Sequence, residues 1–249
     1  MRTYLWALLL LVFIAFSYPT QCASRYEARR ATLVKKLRAA VDTRFVDSVF
    51  ADPRCTIDSS LLARSRGGGY AFLFSDSSKE RGKRFFIEKR TLLDSITSAY
   101  RVPGHILAAI YRTETDFGNS LGRHIVLRAL FTRYITRTTE RARAEEYRQL
   151  VAFLSLAHEK GWDVFSIIGS SAGAFGRTQF RPTSYRFAVD GNGDGVVDLF
   201  NEHDALASTA NFLVRQGWSA TKQRATLVRY NRGGYARAVL QYAAIISDS

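Results

Sequence analysis

Apolar residues recur along this chain at helical spacing, in blocks separated by glycine, proline and charged clusters. From Arg25 to Ala51, Leu33, Leu37, Val41 and Phe45 fall at every fourth position, which predicts a helix ending at Asp52-Pro53. Arg64 to Tyr70, with its consecutive glycines Gly67, Gly68 and Gly69, predicts an exposed loop. A second helical pattern over Ser78 to Tyr100 offers Phe86, Ile87, Leu92, Leu93 and Ile96 to a core. A third opens at Val102-Pro103 and closes at Gly118-Asn119. Glu145 to Glu159, stopped by Gly161, then Ala205 to Gln216 and Tyr235 to Ile246 complete the set. Few segments alternate with period two, so the expected fold class is mainly α.

The helix opened by Pro103 carries the first chemical signal. Ile106, Ile110 and Tyr111 precede Glu114 by eight, four and three positions, which puts a carboxyl on the packed face. Desolvation there favours the protonated form, and a carboxyl protonated near neutral pH is what a general acid for glycosidic cleavage requires. A purely structural reading pairs Glu114 with Arg112 or Arg123 at the end of an ordinary helix.

Composition adds context. The chain has 249 residues, 47% of them hydrophobic, enough for one full domain with a sizeable core. Arg2, the apolar run from Tyr4 to Phe16 and the small residues up to Ser24 read as a secretory signal over residues 1–24, cleaved near Ala23 or Ser24; the alternative is an uncleaved signal anchor. Removal of that segment leaves Cys55 as the one thiol, which excludes an intramolecular disulfide. The formal net charge is +14, yet Arg29, Arg30, Lys35, Lys36, Arg81, Lys83, Arg84, Arg141, Arg143 and Arg186 are scattered and match no nucleic-acid motif. An exported basic surface instead meets acidic wall polymer and anionic headgroups, so no nucleic-acid partner is expected.

Two later blocks carry more. Gly169 to Tyr185, GSSAGAFGRTQFRPTSY, combines small residues that allow close backbone approach with Ser170, Gln179 and Tyr185, which can project into a cleft. Asp190 to Asn201, DGNGDGVVDLFN, places Asp190, Asn192, Asp194, the Val196 carbonyl and Asp198 at the ligand positions of an EF-hand calcium loop. Asn201 stands where the bidentate Glu belongs, and Asp204 is the candidate replacement. The metal-free alternative is an Asx-rich turn held by its own backbone.

In order and spacing these blocks resemble the membrane-bound lytic murein transglycosylase B family of peptidoglycan-cleaving enzymes, over about Val49 to Ile246. The resemblance rests on TETDFG at Thr113 to Gly118, on the Gly169 block, on the DGNGDGVVDLF loop, on Ala210-Asn211-Phe212 with Gly217-Trp218, and on Arg229-Tyr230-Asn231. It implies a lysozyme-like helical domain over 100–249 with an EF-hand-like calcium loop, and an N-terminal helical extension over 25–99. It also implies that Glu114 is the single catalytic acid and base, and that Ser170, Gln179, Tyr185, Phe212, Tyr230, Asn231 and Tyr235 line the glycan. No cofactor is implied for the chemistry, calcium being structural.

The implied partner is the peptidoglycan glycan strand in the periplasm or cell envelope, alongside envelope proteins the sequence does not identify, with membrane contact only through an uncleaved signal segment. Three departures stand out: Arg177, Thr178 and Arg181 where the family block is apolar or small, which predicts a more basic cleft edge; Phe212 in place of a tyrosine; and a shortened Arg232-Gly233-Gly234 before Tyr235.

A conventional glycosidase uses two carboxylates, and Asp116 points to another helical face than Glu114. The family's resolution is that the substrate's N-acetyl group supplies the second function and its 6-hydroxyl closes a 1,6-anhydro ring without water. The rivals are a hydrolytic muramidase, a non-catalytic wall-binding protein and a charge-driven polyanion-binding module.

Overall fold

The computed structural model describes residues 25–63 and 68–247. The expected signal segment and most of the glycine loop at Arg64 to Tyr70 lie outside those residues. Helices are α1 (25–38), α2 (Thr43–Ala51), α3 (Asp76–Glu88), α4 (Arg90–Tyr100), α5 (Gly104–Thr115), α6 (Val126–Thr136), α7 (Glu140–Lys160), α8 (Glu202–Arg215), α9 (Gln223–Tyr230) and α10 (Tyr235–Ser247). Two short strands, β1 (His124–Ile125) and β2 (Ile168–Gly169), pair antiparallel with His124 opposite Gly169. No helix among the described residues is long and apolar enough to cross a membrane.

The chain forms two compact units. The first comprises residues up to Ile57 and Leu130–Trp162, and holds α1, α2, α7 and most of α6. Its core is built from Leu33, Leu37, Val46, Phe50, Phe131, Phe153 and Leu154, with Phe50 edge-on to Phe131 at 5.7 Å. Inside it, Glu146 is only 2% exposed and is clamped by Arg133 at 2.8 Å and Arg137 at 3.0 Å. Cys55 is buried.

The second unit, Asp58–Ala129 with Asp163–Ser249, is organised around α5. Ile106, Leu107, Ala108, Ala109, Ile110 and Tyr111 are all buried, so α5 is apolar on every side rather than along one stripe, as befits a central helix. Helices α3, α4, α8 and α10 pack on it. The end of α5 is therefore reached from several elements at once.

Two expected helices are divided. Asp42 accepts a hydrogen bond from the Phe45 amide and caps a new helix, so the pattern over 25–51 becomes α1 and α2, with Val46, Val49 and Phe50 buried instead of a continued Val41-Phe45 stripe. The pattern over 78–100 breaks at Lys89, whose backbone leaves helical geometry (φ −100°, ψ 16°), and the rotation leaves Ile87 59% exposed while Phe85 is buried. Helices α6 and α9 lie in segments for which no element was expected.

Candidate active site

Glu114 stands in the last turn of α5. The residue is half-buried: protein crowds its carboxyl while partial solvent access remains. Burial pushes its pKa from 4.5 up to about 7, and the Tyr235 hydroxyl pulls partly against that rise. The ion pair expected from the structural reading is not formed with Arg112. Instead Arg112 lies 3.3 Å from Asp116, whose other oxygen accepts from Arg81 at 2.7 Å. Asp116 is thus committed to two guanidinium groups and offers no second carboxylate beside Glu114.

The helix end is held firmly. Asp116 and Phe117 both adopt left-handed backbone (φ 53° and 57°), unusual for an aromatic residue. Phe117 is fixed there by stacking on Phe85 at 4.2 Å and by Tyr111 edge-on at 5.7 Å. Thr115 Oγ1 donates to the Arg177 carbonyl at 2.5 Å, and Arg177 donates to Tyr111 Oη at 2.7 Å and to the Phe200 carbonyl at 2.5 Å. Arg177 therefore turns inward and fastens the glycine-rich block to α5, and Thr178 is 1% exposed, so neither makes the cleft edge basic as expected.

The Gly169 block folds back on itself through bridges from Phe175 to Gly169 and to Phe180. A side chain at Gly169 would sit 2.1 Å from the Ala174 carbonyl oxygen, which explains glycine there. Ser170 Oγ accepts from the Ala174 amide at 3.2 Å, so it closes the turn rather than pointing free. Gln179, also left-handed (φ 55°), donates to the carbonyls of Gly176 and Leu121. Tyr185 donates to the Val197 carbonyl at 2.9 Å and stacks on Phe175. Ser170, Gln179 and Tyr185 belong to the glycine-rich block that Arg177 and Thr115 fasten to α5.

The groups brought to Glu114 are tyrosines. Tyr230, at the end of α9, and Tyr235, at the start of α10, stack in parallel with centroids 5.8 Å apart, and Phe212 lies edge-on to Tyr230 at 5.2 Å. Tyr230 donates to the Thr178 carbonyl at 2.6 Å. Burial first, and then the Glu114 charge, hold both phenols far above the ordinary tyrosine range, so both remain protonated. Tyr235 is 1% exposed and its hydroxyl makes no full hydrogen bond, although it lies near enough to Glu114 to stabilise the carboxylate. Asn231 is exposed and accepts from the Arg232 amide.

Sequence reasoning missed Tyr70, which packs edge-on to Tyr235 at 5.9 Å and feels the Glu114 charge. It lies in an irregular segment with no periodicity to mark it. Because Tyr235 lowers the Glu114 pKa, Tyr235→Phe should move the alkaline limb of the pH–activity profile upward and reduce kcat roughly threefold, less than a full hydrogen bond to a charged group is worth. An unmoved limb would separate Tyr235 from Glu114.

At the Asp190 loop, the expected calcium ligands bind their own backbone. Asp190 accepts from Gly193 and Gly195, Asn192 from Asp194, Asp194 from Val196, and Asp198 from Phe200. Asp204 is fully buried, and its two oxygens take the amides of Gly191 and Asp198, tying the loop to α8. Asn201 caps α8. The donor set is all hard oxygen, which fits calcium in chemistry, but among the described residues no cluster of acidic, His or Cys side chains converges on a metal position.

The architecture is that of the lytic transglycosylases. The structure of lytic transglycosylase SLT35 of Escherichia coli with bulgecin A matches with TM-score 0.76 at 21% identity, covering 88% of this chain and 92% of that one. SltB3 of Pseudomonas aeruginosa, solved with NAG-anhNAM-pentapeptide, matches with TM-score 0.64 at 28% identity, covering 80% of this chain and 54% of that one. The membrane-bound lytic murein transglycosylase B of Escherichia coli K12 is 34% identical over 150 residues, 59% of this chain and 41% of that protein. This chain thus spans about two fifths of the length of that curated relative. The transglycosylase SLT domain model matches residues 69–243, and the chain belongs to that family.

Proposed function

We propose that this protein is a peptidoglycan lytic transglycosylase that cleaves the MurNAc-GlcNAc β-1,4 bond without water and leaves 1,6-anhydro-MurNAc ends. The observation that carries the reading is Glu114: a carboxyl at the end of a buried helix, with pKa near 7, close to the protonated Tyr230 and Tyr235, while the neighbouring Asp116 is held by Arg81 and Arg112. A group poised near neutrality serves as acid and base in turn. Protonated Glu114 gives its proton to the glycosidic oxygen as that bond breaks, and the muramyl acetamido carbonyl stabilises the positive charge developing at the anomeric carbon. The 6-hydroxyl then bonds to the anomeric carbon and returns a proton to Glu114. Tyr235 stabilises the carboxylate between the two steps. SltB3, solved with an anhydro-muramyl ligand, supports the same product for this chain.

Ser170, Gln179 and Tyr185 form one wall for the glycan in this reading, with Tyr230, Phe212, Asn231 and Tyr235 on the other side of Glu114. The chain is read as exported, acting on glycan strands in the periplasm or envelope. Digestion of purified sacculi tests the function: fragments lighter by one water than reducing-end fragments are expected, and reducing ends alone would assign a hydrolytic muramidase.

Calcium at the Asp190 loop is a second proposal, supported by the donor order and by SLT35, solved in complex with calcium. Calcium in place of EDTA should raise the thermal midpoint by roughly 3 °C. An identical midpoint would leave the loop as a self-bonded turn.

A further inference from the structure

From Ala205 to Ser247 the chain contains no Asp or Glu, while Arg215, Lys222, Arg224, Arg229, Arg232 and Arg237 are all present and all exposed. None of them enters an ion pair among the described residues. On α9, Arg224, Ala225, Val228 and Arg229 occupy one helical face, and that face is the exposed one. Arg229 reaches Gln216 at 3.3 Å, which brings the end of α8, with exposed Val214 and Arg215, alongside it. Val214 and Val228 are 40% and 45% exposed, two of the few large apolar side chains left in solvent.

We propose that this α8–α9 surface docks on a membrane bearing anionic phospholipid headgroups. The charge alone would suit any polyanion. The valines set among the arginines decide for a lipid surface, because apolar side chains at the headgroup boundary add burial that a soluble polymer does not offer. Membrane contact then no longer depends on the N-terminal segment alone, and the surface lies on the helix that ends at Tyr230.

The test compares binding of the full chain to phosphatidylglycerol-containing vesicles and to neutral phosphatidylcholine vesicles, so that any contribution of residues 1–24 common to both cancels in the ratio. Arg215→Gln, Arg224→Gln and Arg229→Gln together should lower the anionic-to-neutral ratio roughly a hundredfold. Lys35→Gln, Arg44→Gln and Arg123→Gln, with the same loss of charge, should change it only a few-fold. Equal ratios for the two triple variants would reduce the effect to net charge and overturn the proposal. Val228→Ser should weaken vesicle binding without weakening binding to soluble heparin; equal loss or no loss on both would replace the lipid by a soluble polyanion.

Discussion

Glu114→Gln should abolish wall cleavage, with a loss of at least about a thousandfold, and at the same time make the protein more stable at alkaline pH. In the proposed mechanism one residue serves both proton transfers, each ordinarily worth about 10²–10⁴-fold, and the activity loss follows from that. The stability gain follows from linkage. The folded state raises the Glu114 pKa from 4.5 to about 7, so between those values it holds a proton that the unfolded chain has released. Stability therefore falls as pH rises through that window, and the full penalty is present above 7, amounting to about 3 kcal/mol. Glutamine removes the charge and with it the penalty. Native and variant proteins should unfold at similar urea concentrations at pH 4 and diverge at pH 8, the variant being the more stable. Equal stability at both pH values would show that Glu114 is not desolvated.

The second large effect is structural. Glu146→Ala should destabilise the first unit by about 3 kcal/mol, because Arg133 and Arg137 would lose the carboxylate on which both converge. Replacing the whole cluster, with Glu146→Leu, Arg133→Met and Arg137→Met, should recover most of that loss, since a buried ion cluster contributes little beyond an apolar packing of the same volume. Urea midpoints of the two variants decide it: equal loss in both would mean that the ion cluster contributes stability that apolar packing does not replace.

Much of this was legible in the sequence because α5 is marked by Pro103 at its start, a dense apolar run and a carboxyl on that run. Helices α8 and α10 were legible for the same reason. The breaks at Asp42 and Lys89 were not, because one capping side chain or one backbone rotation decides them while the apolar spacing runs on across both. Helix α6 lay in the pattern of Val126, Leu127, Leu130, Phe131, Tyr134 and Ile135, a short stretch between polar segments.

At the site, the motif blocks contain Glu114 and Tyr230, while Tyr235 follows a departure from the family pattern; no spacing rule states the juxtaposition of the three across distant helices. Arg177 reads as a cleft cation in sequence, but burial of the Tyr111 hydroxyl and the Phe200 carbonyl gives its guanidinium inward partners. Tyr70 comes within range of the Glu114 charge from an irregular segment, where local pattern carries no information about tertiary placement.

The proton cycle of Glu114 is tested most directly by digesting sacculi in heavy-oxygen water with the native protein and with Glu114→Gln. 1,6-Anhydro fragments without heavy oxygen are expected from the native protein, and no soluble fragments from the variant. Heavy oxygen at the new muramyl ends, or undiminished release by Glu114→Gln, would contradict it.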